Sequence, residues 1–208
     1  MYAYTGRVLH VDLSEQTSHV EVVESDLLQK YLGGVGLAMR LLLDNARPAC
    51  DPLGEENVMA IAVGALAGTM VPTSGKHALA TKSPLTGFIG DCLSGSYWSH
   101  AVRRAGYDAI VLKGKSAQPT YLFVDNEYVL FRDAEALWGK ESFETEEAIR
   151  AEIGDSNVRV ASIGVAGERL VRYACISNDR GRQAGRTGPG AGGAVSLSSA
   201  GPPGAGAL

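Results

Sequence analysis

Val8-Leu9-His10-Val11-Asp12-Leu13 runs into the polar Ser14-Glu15-Gln16-Thr17 and out again into Val20-Glu21-Val22-Val23. Leu9, Val11 and Leu13 alternate with Val8, His10 and Asp12, the period of two that lets a strand bury one face, and the polar tetrapeptide supplies a turn. The stretch reads as a β-hairpin. Beyond it the period changes. Ser25 stands where a helix would be capped, Leu27, Leu28, Tyr31 and Leu32 fall at helical spacing, Gly33-Gly34 interrupts, and Leu37, Ala38, Leu41 and Leu42 resume. Two short helices or one broken helix satisfy that pattern.

Further along, residues 57–66 and 77–81 read as strands, 96–105 as a helix ending near Gly106, and 109–112 as a strand. Residues 121–124 and 128–131 flank Asp125-Asn126-Glu127 as a second hairpin, and 143–153 form a charged amphipathic helix closed by Gly154. Strands over 158–163 and 170–176 enclose the loop Gly164-Val165-Ala166-Gly167. Hairpins mixed with a few helices, without regular strand-helix alternation, predict an α+β fold with mixed or antiparallel sheets. Each half offers a hairpin, a helix and later strands, which points to a pseudo-twofold duplicated arrangement, although no repeat is legible residue by residue.

With 19 basic and 23 acidic residues in 208, no basic field argues for nucleic acid. Hydrophobic residues make up 45%, enough for one full core. Cys50, Cys92 and Cys175 are widely spaced and show no C-x-x-C, so neither a disulfide framework nor an iron-sulfur or zinc site is expected from this chain alone. The four histidines have no metal-ligand spacing and are read as structural. Residues 1–6 lack the features of a signal peptide, and the apolar run 58–71 is broken by Gly64 and Gly68 and too short to span a bilayer, so a cytoplasmic location is expected. Of 26 glycines, 17 lie in the first 180 residues. From Thr187 onward no residue is charged. The chain therefore divides into a domain over 1–191 and a Gly/Ala/Ser/Pro-rich tail over 192–208, expected to be disordered or frameshifted.

Three loops suit an anion. Lys76 beside Ser74-Gly75 can set a cation over a phosphate where glycine admits the backbone, or can be a solvated surface lysine. Leu93-Ser94-Gly95-Ser96 precedes a helix, whose first amides can bind an anion or simply be capped. Asn178-Asp179-Arg180-Gly181-Arg182-Gln183-Ala184-Gly185-Arg186 sets three arginines among glycines, either an anion site or a loop with incidental arginines. No Walker A or dinucleotide fingerprint occurs.

These loops join Gly6-Arg7-Val8-Leu9-His10-Val11-Asp12-Leu13-Ser14, Tyr31-Leu32-Gly33-Gly34-Val35-Gly36-Leu37-Ala38, Thr81-Lys82-Ser83-Pro84-Leu85-Thr86-Gly87 and Ala105-Gly106-Tyr107-Asp108-Ala109-Ile110. In this order, over residues 4–191, they resemble the N-terminal domain of the tungsten-containing aldehyde ferredoxin oxidoreductase family. The resemblance implies an α+β base under tungsten or molybdenum held by two pterin dithiolenes, with a bridging magnesium. It implies that Lys76 stands for a family arginine near the cofactor. Leu93 and Gly95 match the loop at the pterin phosphates and magnesium, and Arg182, Gln183 and Gly185 match the second cofactor loop.

Three matches depart from the family. Lys76 keeps the charge but loses the bidentate fork of arginine. Leu93 stands where some members have asparagine, so a magnesium contact there falls to its backbone carbonyl, and Gln183 replaces a small residue. No catalytic residue or direct metal ligand falls in this chain. In the intact family enzyme, aldehydes are oxidised to carboxylic acids and electrons pass through a 4Fe-4S cluster to ferredoxin. The cluster ligands and the catalytic acid/base residues lie in later domains. The resemblance therefore implies a complementing chain carrying those domains, an inactive isolated chain, and exposed apolar surface where they would pack. The alternative is a folded but inactive gene fragment with no independent cofactor binding. A generic nucleotide module ranks below both.

Overall fold

The structure, a computed structural model, describes residues 4–184 and 197–199. The opening stretch forms the expected hairpin, β1 (Arg7–Asp12) and β2 (Thr17–Val22). Helices α1 (Ser25–Tyr31) and α2 (Gly34–Asn45) follow, broken where Leu32 takes φ 58° and Gly33 φ 86°. Glu24, not Ser25, occupies the N-cap position of α1. Strands β3 (Val58–Val63), β4 (Lys76–Lys82) and β5 (Ile89–Gly95), helix α3 (Tyr97–Arg104) and strand β6 (Ala109–Lys113) complete the first half. A second hairpin, β7 (Thr120–Asp125) and β8 (Tyr128–Asp133), leads to helix α4 (Ser142–Ile153). Strand β9 (Arg159–Ile163), the single turn α5 (Val165–Glu168), and strands β10 (Ile176–Asn178), β11 (Arg182–Ala184) and β12 (Leu197–Ser199) follow.

Three differences from expectation have physical reasons. Strand β5 escapes the sequence pattern because Ile89, Asp91 and Leu93 face outward, and its glycines read as turn. The strand expected over 170–176 shrinks to Ile176–Asn178, since Gly164 starts the α5 turn and Leu170 takes φ 56°. Within the expected tail, Leu197–Ser199 pairs with β7 and β9 instead of standing free, because the gap between those two strands offers backbone partners on both sides; the rest of 192–208 lies outside the described residues.

Strand order is β2-β1-β6-β3-β4-β5 in one six-stranded sheet and β8-β7-β12-β9-β10-β11 in the other. In each, the last strand is inserted parallel to the first strand of the hairpin and antiparallel to the first strand of the meander. The two halves thus share one topology, as the duplicated reading expected. Once the strands are aligned, residue matches emerge. Leu9, Val11 and Asp12 in β1 match Leu122, Val124 and Asp125 in β7, and Val63-Gly64 at the end of β3 matches Ile163-Gly164 at the end of β9.

The layers follow from strand alternation. Val58, Ala60 and Ala62 of β3 turn toward α2, whose Leu37, Ala38, Leu41 and Leu42 cover them with Ala78 and Ala80 of β4, small side chains that let the helix approach closely. The opposite face carries Met59, Ile61, Leu79, Ile110 and Leu112, which meet Leu122, Val124 and Ala161 of the second sheet. Trp98 and Val102 of α3 wedge between the sheets. On the outer face of the second sheet, Ile149 of α4 packs on Tyr121, Val158 and Val160. The order is helix, sheet, sheet, helix, and each large side chain buried in it contributes about 2 kcal/mol.

The chain's start is tied down by charge. Asp108, fully buried, pairs with Arg103 of α3 and accepts the amides of Thr5 at 3.1 Å and Gly6 at 2.7 Å. Arg103 also donates to the carbonyl of Gly64 at 3.0 Å.

Candidate functional site

Strands β5 and β11 are edge strands of their sheets, occupy equivalent positions in the two halves, and lie against each other. Candidate residues from both halves therefore meet along one line. Lys76 opens β4 opposite Gly95 in β5, and Leu93 pairs with Ala78. The Lys76 Nζ lies 3.0 Å from where a Cβ on Gly95 would be, so an ammonium stands over bare backbone. Lys76 is exposed, and so is Leu93.

Gly75 holds this corner together. Its carbonyl accepts the Ser96 amide at 2.9 Å, and a Cβ on it would meet His100 Nε2 at 2.6 Å and the Ser96 carbonyl at 2.8 Å. Only glycine fits. Gly75→Ala is expected to cost about 1–3 kcal/mol through overpacking against backbone that cannot yield, a loss that denaturant unfolding would measure. His100 Nδ1 accepts the Gly68 amide at 2.7 Å, which fixes the loop before Gly75. Burial, aided by the charge of Arg104, lowers the His100 pKa below the ordinary histidine value, consistent with a neutral ring acting as acceptor.

His77, beside Lys76, points into the inter-sheet core. It is buried against the Trp98 ring, with centroids 4.7 Å apart, and its Nδ1 has no hydrogen-bond partner among the described residues. Burial first, and then the neighbouring Lys76 charge, pushes its pKa down to about 4.

The start of α3 is not an open anion site. Asp179 Oδ2 accepts the Trp98 amide at 2.7 Å, so the chain's own carboxylate fills the place that the sequence pattern offered to a ligand. Asp179 arrives from the second half, on the turn between β10 and β11. Its neighbour Asn178 is buried: its Oδ1 accepts the Ser94 hydroxyl at 2.9 Å, and its Nδ2 donates to the Gly95 carbonyl and to Asp179 Oδ2, both at 3.2 Å. Glu146 of α4, also buried, accepts the Arg180 amide at 2.8 Å from the other side of the turn.

Arg182 follows, exposed and opposite Asn178; Gln183 pairs with Ser177, and Gly185, next after β11, lies outside the described residues. The structure thus brings Lys76, Leu93 and Gly95 together and sets the strand carrying Arg182 and Gln183 beside them. Sequence reasoning put Asn178 and Asp179 in the third anion-friendly loop but gave them no role there, and it missed Glu146. Among the described residues no three His, Cys, Asp or Glu side chains converge to hold a metal, and no helix is long and apolar enough to cross a membrane. Apolar side chains stand exposed in the segments that flank Lys76 and Gly95: Met70 in the loop before β4 is 100% exposed, Leu93 in β5 59% and Tyr97 at the start of α3 64%.

A family profile described as aldehyde ferredoxin oxidoreductase, N-terminal domain, matches residues 8–195. The tungsten-containing aldehyde ferredoxin oxidoreductase of Pyrococcus furiosus is 48% identical over 191 residues, spanning 92% of this chain and 32% of that protein. An aliphatic sulfonate oxidoreductase, WOR-like subunit, of the same organism is 36% identical and also spans 92% of this chain. Among solved structures, the active site complex BamBC of benzoyl coenzyme A reductase with 1,5-dienoyl-CoA superposes with a TM-score of 0.91 at 34% identity, covering 96% of this chain and 31% of that one. The chain spans about a third of the length of the curated relatives it matches.

Proposed function

The chain belongs to the aldehyde ferredoxin oxidoreductase family through its N-terminal domain, and we propose that it is the base on which a bis-pterin tungsten or molybdenum cofactor sits. The observation that carries this reading is the Lys76 ammonium over the bare backbone of Gly95, beside a second glycine-flanked cation, Arg182. The residues present fit a phosphate. A positive charge sits where no side chain blocks the backbone, and a Cβ at Gly95 would fill that space.

Lys76 and Gly95 would hold one pterin phosphate, and Arg182 with Gly185 the other. The backbone carbonyls of Leu93 and Gln183 would face the bridging magnesium. When bound, the metal centre supplies the redox chemistry, oxidation of an aldehyde to a carboxylic acid in the intact family enzyme. This chain's residues bind and orient the cofactor and act on no proton. The 4Fe-4S ligands and the contacts to ferredoxin would come from later domains, on this chain's continuation or on a complementing chain. The named relatives differ in substrate, an aldehyde in one and an aliphatic sulfonate in another.

The test is the cofactor content of protein purified anaerobically after growth with tungstate or molybdate. Lys76→Ala is expected to lower pterin and metal per chain about tenfold, roughly the worth of one charge-assisted phosphate contact, while Lys76→Arg keeps them. Unchanged content in Lys76→Ala would remove Lys76 from the site.

A further inference from the structure

Resting on the cofactor reading above, we propose that Asp179, together with Asn178, is the positioning residue that sets the spacing of the two phosphate cradles. The turn that brings it there is held against its own preference: Asp179, Arg180 and Gly181 take φ of 44°, 58° and 95° in succession. Two consecutive non-glycine residues in the left-handed region persist only where the surroundings hold them. Here the surroundings are contacts from both halves of the fold. Asp179 Oδ2 takes the Trp98 amide at 2.7 Å at the start of α3, and Glu146 takes the Arg180 amide at 2.8 Å.

The orientation of Asn178 is determined by its partners. Its Nδ2 faces two acceptors, the Gly95 carbonyl and Asp179 Oδ2, while its Oδ1 faces the Ser94 hydroxyl. A flipped amide would set oxygen against both acceptors. This one side chain therefore joins Ser94 and Gly95 of the first cradle to the turn that begins the second, and Arg182 lies three residues beyond Asp179. A shift of the turn would carry Arg182 with it. Asp179 Oδ1 is buried with no hydrogen-bond partner among the described residues, a desolvation cost that the second oxygen of a carboxylate brings and a plain hydroxyl cap would avoid.

The test reads cofactor per folded chain, which a merely structural contact would leave unchanged. In anaerobically purified holoprotein, Asp179→Ala is expected to lower pterin and metal per folded chain about tenfold, and to split or broaden the metal-centred EPR signal. Asp179→Asn keeps an oxygen for the Trp98 amide and is expected to lose less than about threefold. Content and signal equal to the unsubstituted protein in folded Asp179→Ala overturn the proposal. If Asp179→Ala does not fold, Ser94→Ala decides: it frees Asn178 on one side, a loss of about threefold is expected, and no loss overturns the proposal. Absence of pterin and metal from the unsubstituted protein overturns the cofactor reading instead.

Discussion

Asp108→Ala is expected to lower the folding free energy by about 3–5 kcal/mol and the melting temperature by roughly 10 °C. The carboxylate is fully buried, its partner Arg103 is nearly so, and the pair closes the chain's start through the amides of Thr5 and Gly6. Removing Asp108 leaves a guanidinium in the interior with only the Gly64 carbonyl as acceptor, and two backbone donors without theirs. The cost comes from those stranded groups more than from the lost attraction. Replacing both charges, as in Arg103→Met with Asp108→Leu, is therefore expected to be milder than Asp108→Ala alone. Urea unfolding of the single and double variants checks this; a single-variant loss below about 1 kcal/mol would mean that Arg103 finds water.

Acid is expected to destabilise the chain through His77. Its pKa is about 4 in the folded protein against an ordinary value of 6.5, so between those values the unfolded chain binds the extra proton. Stability from this group is then fully present above pH 6.5 and is lost as pH falls toward 4, by about 3 kcal/mol in all. His77→Leu suits the apolar surroundings of Leu79 and Trp98, and its profile is expected to be flatter over that window. The difference between the two unfolding profiles isolates His77 from other titrating groups. Parallel profiles would contradict its burial as a neutral ring.

Much of this architecture was legible in the sequence because period-two and helical patterns are local. The first hairpin, the helix break at Gly33 and the αL stop at Gly154 were read from neighbours in the chain. The duplication was legible only as an order of elements. Its residue matches, such as Leu9 with Leu122 and Gly64 with Gly164, are scattered between loops of unequal length, and the strand order is needed to align them.

The site divides in the same way. Lys76 and Gly95 could be marked as anion-friendly from their own neighbours. That the α3 amides are taken could not, because Asp179 lies 81 positions away from Trp98. The roles of Asn178 and Glu146 gave no signal for the same reason: Ser94, Gly95 and Arg180 are brought to them by tertiary structure. Strand β5 was missed because an edge strand with outward Asp91 and Leu93 alternates too weakly to stand apart from a turn.

Two equivalent edge strands that hold one cofactor between two phosphate cradles require a fixed ratio of pterin to metal, which quantifying both in the anaerobic preparation measures. The expected result is tungsten or molybdenum with two pterins for each metal. A preparation with neither, even when the later domains are produced alongside, would contradict it.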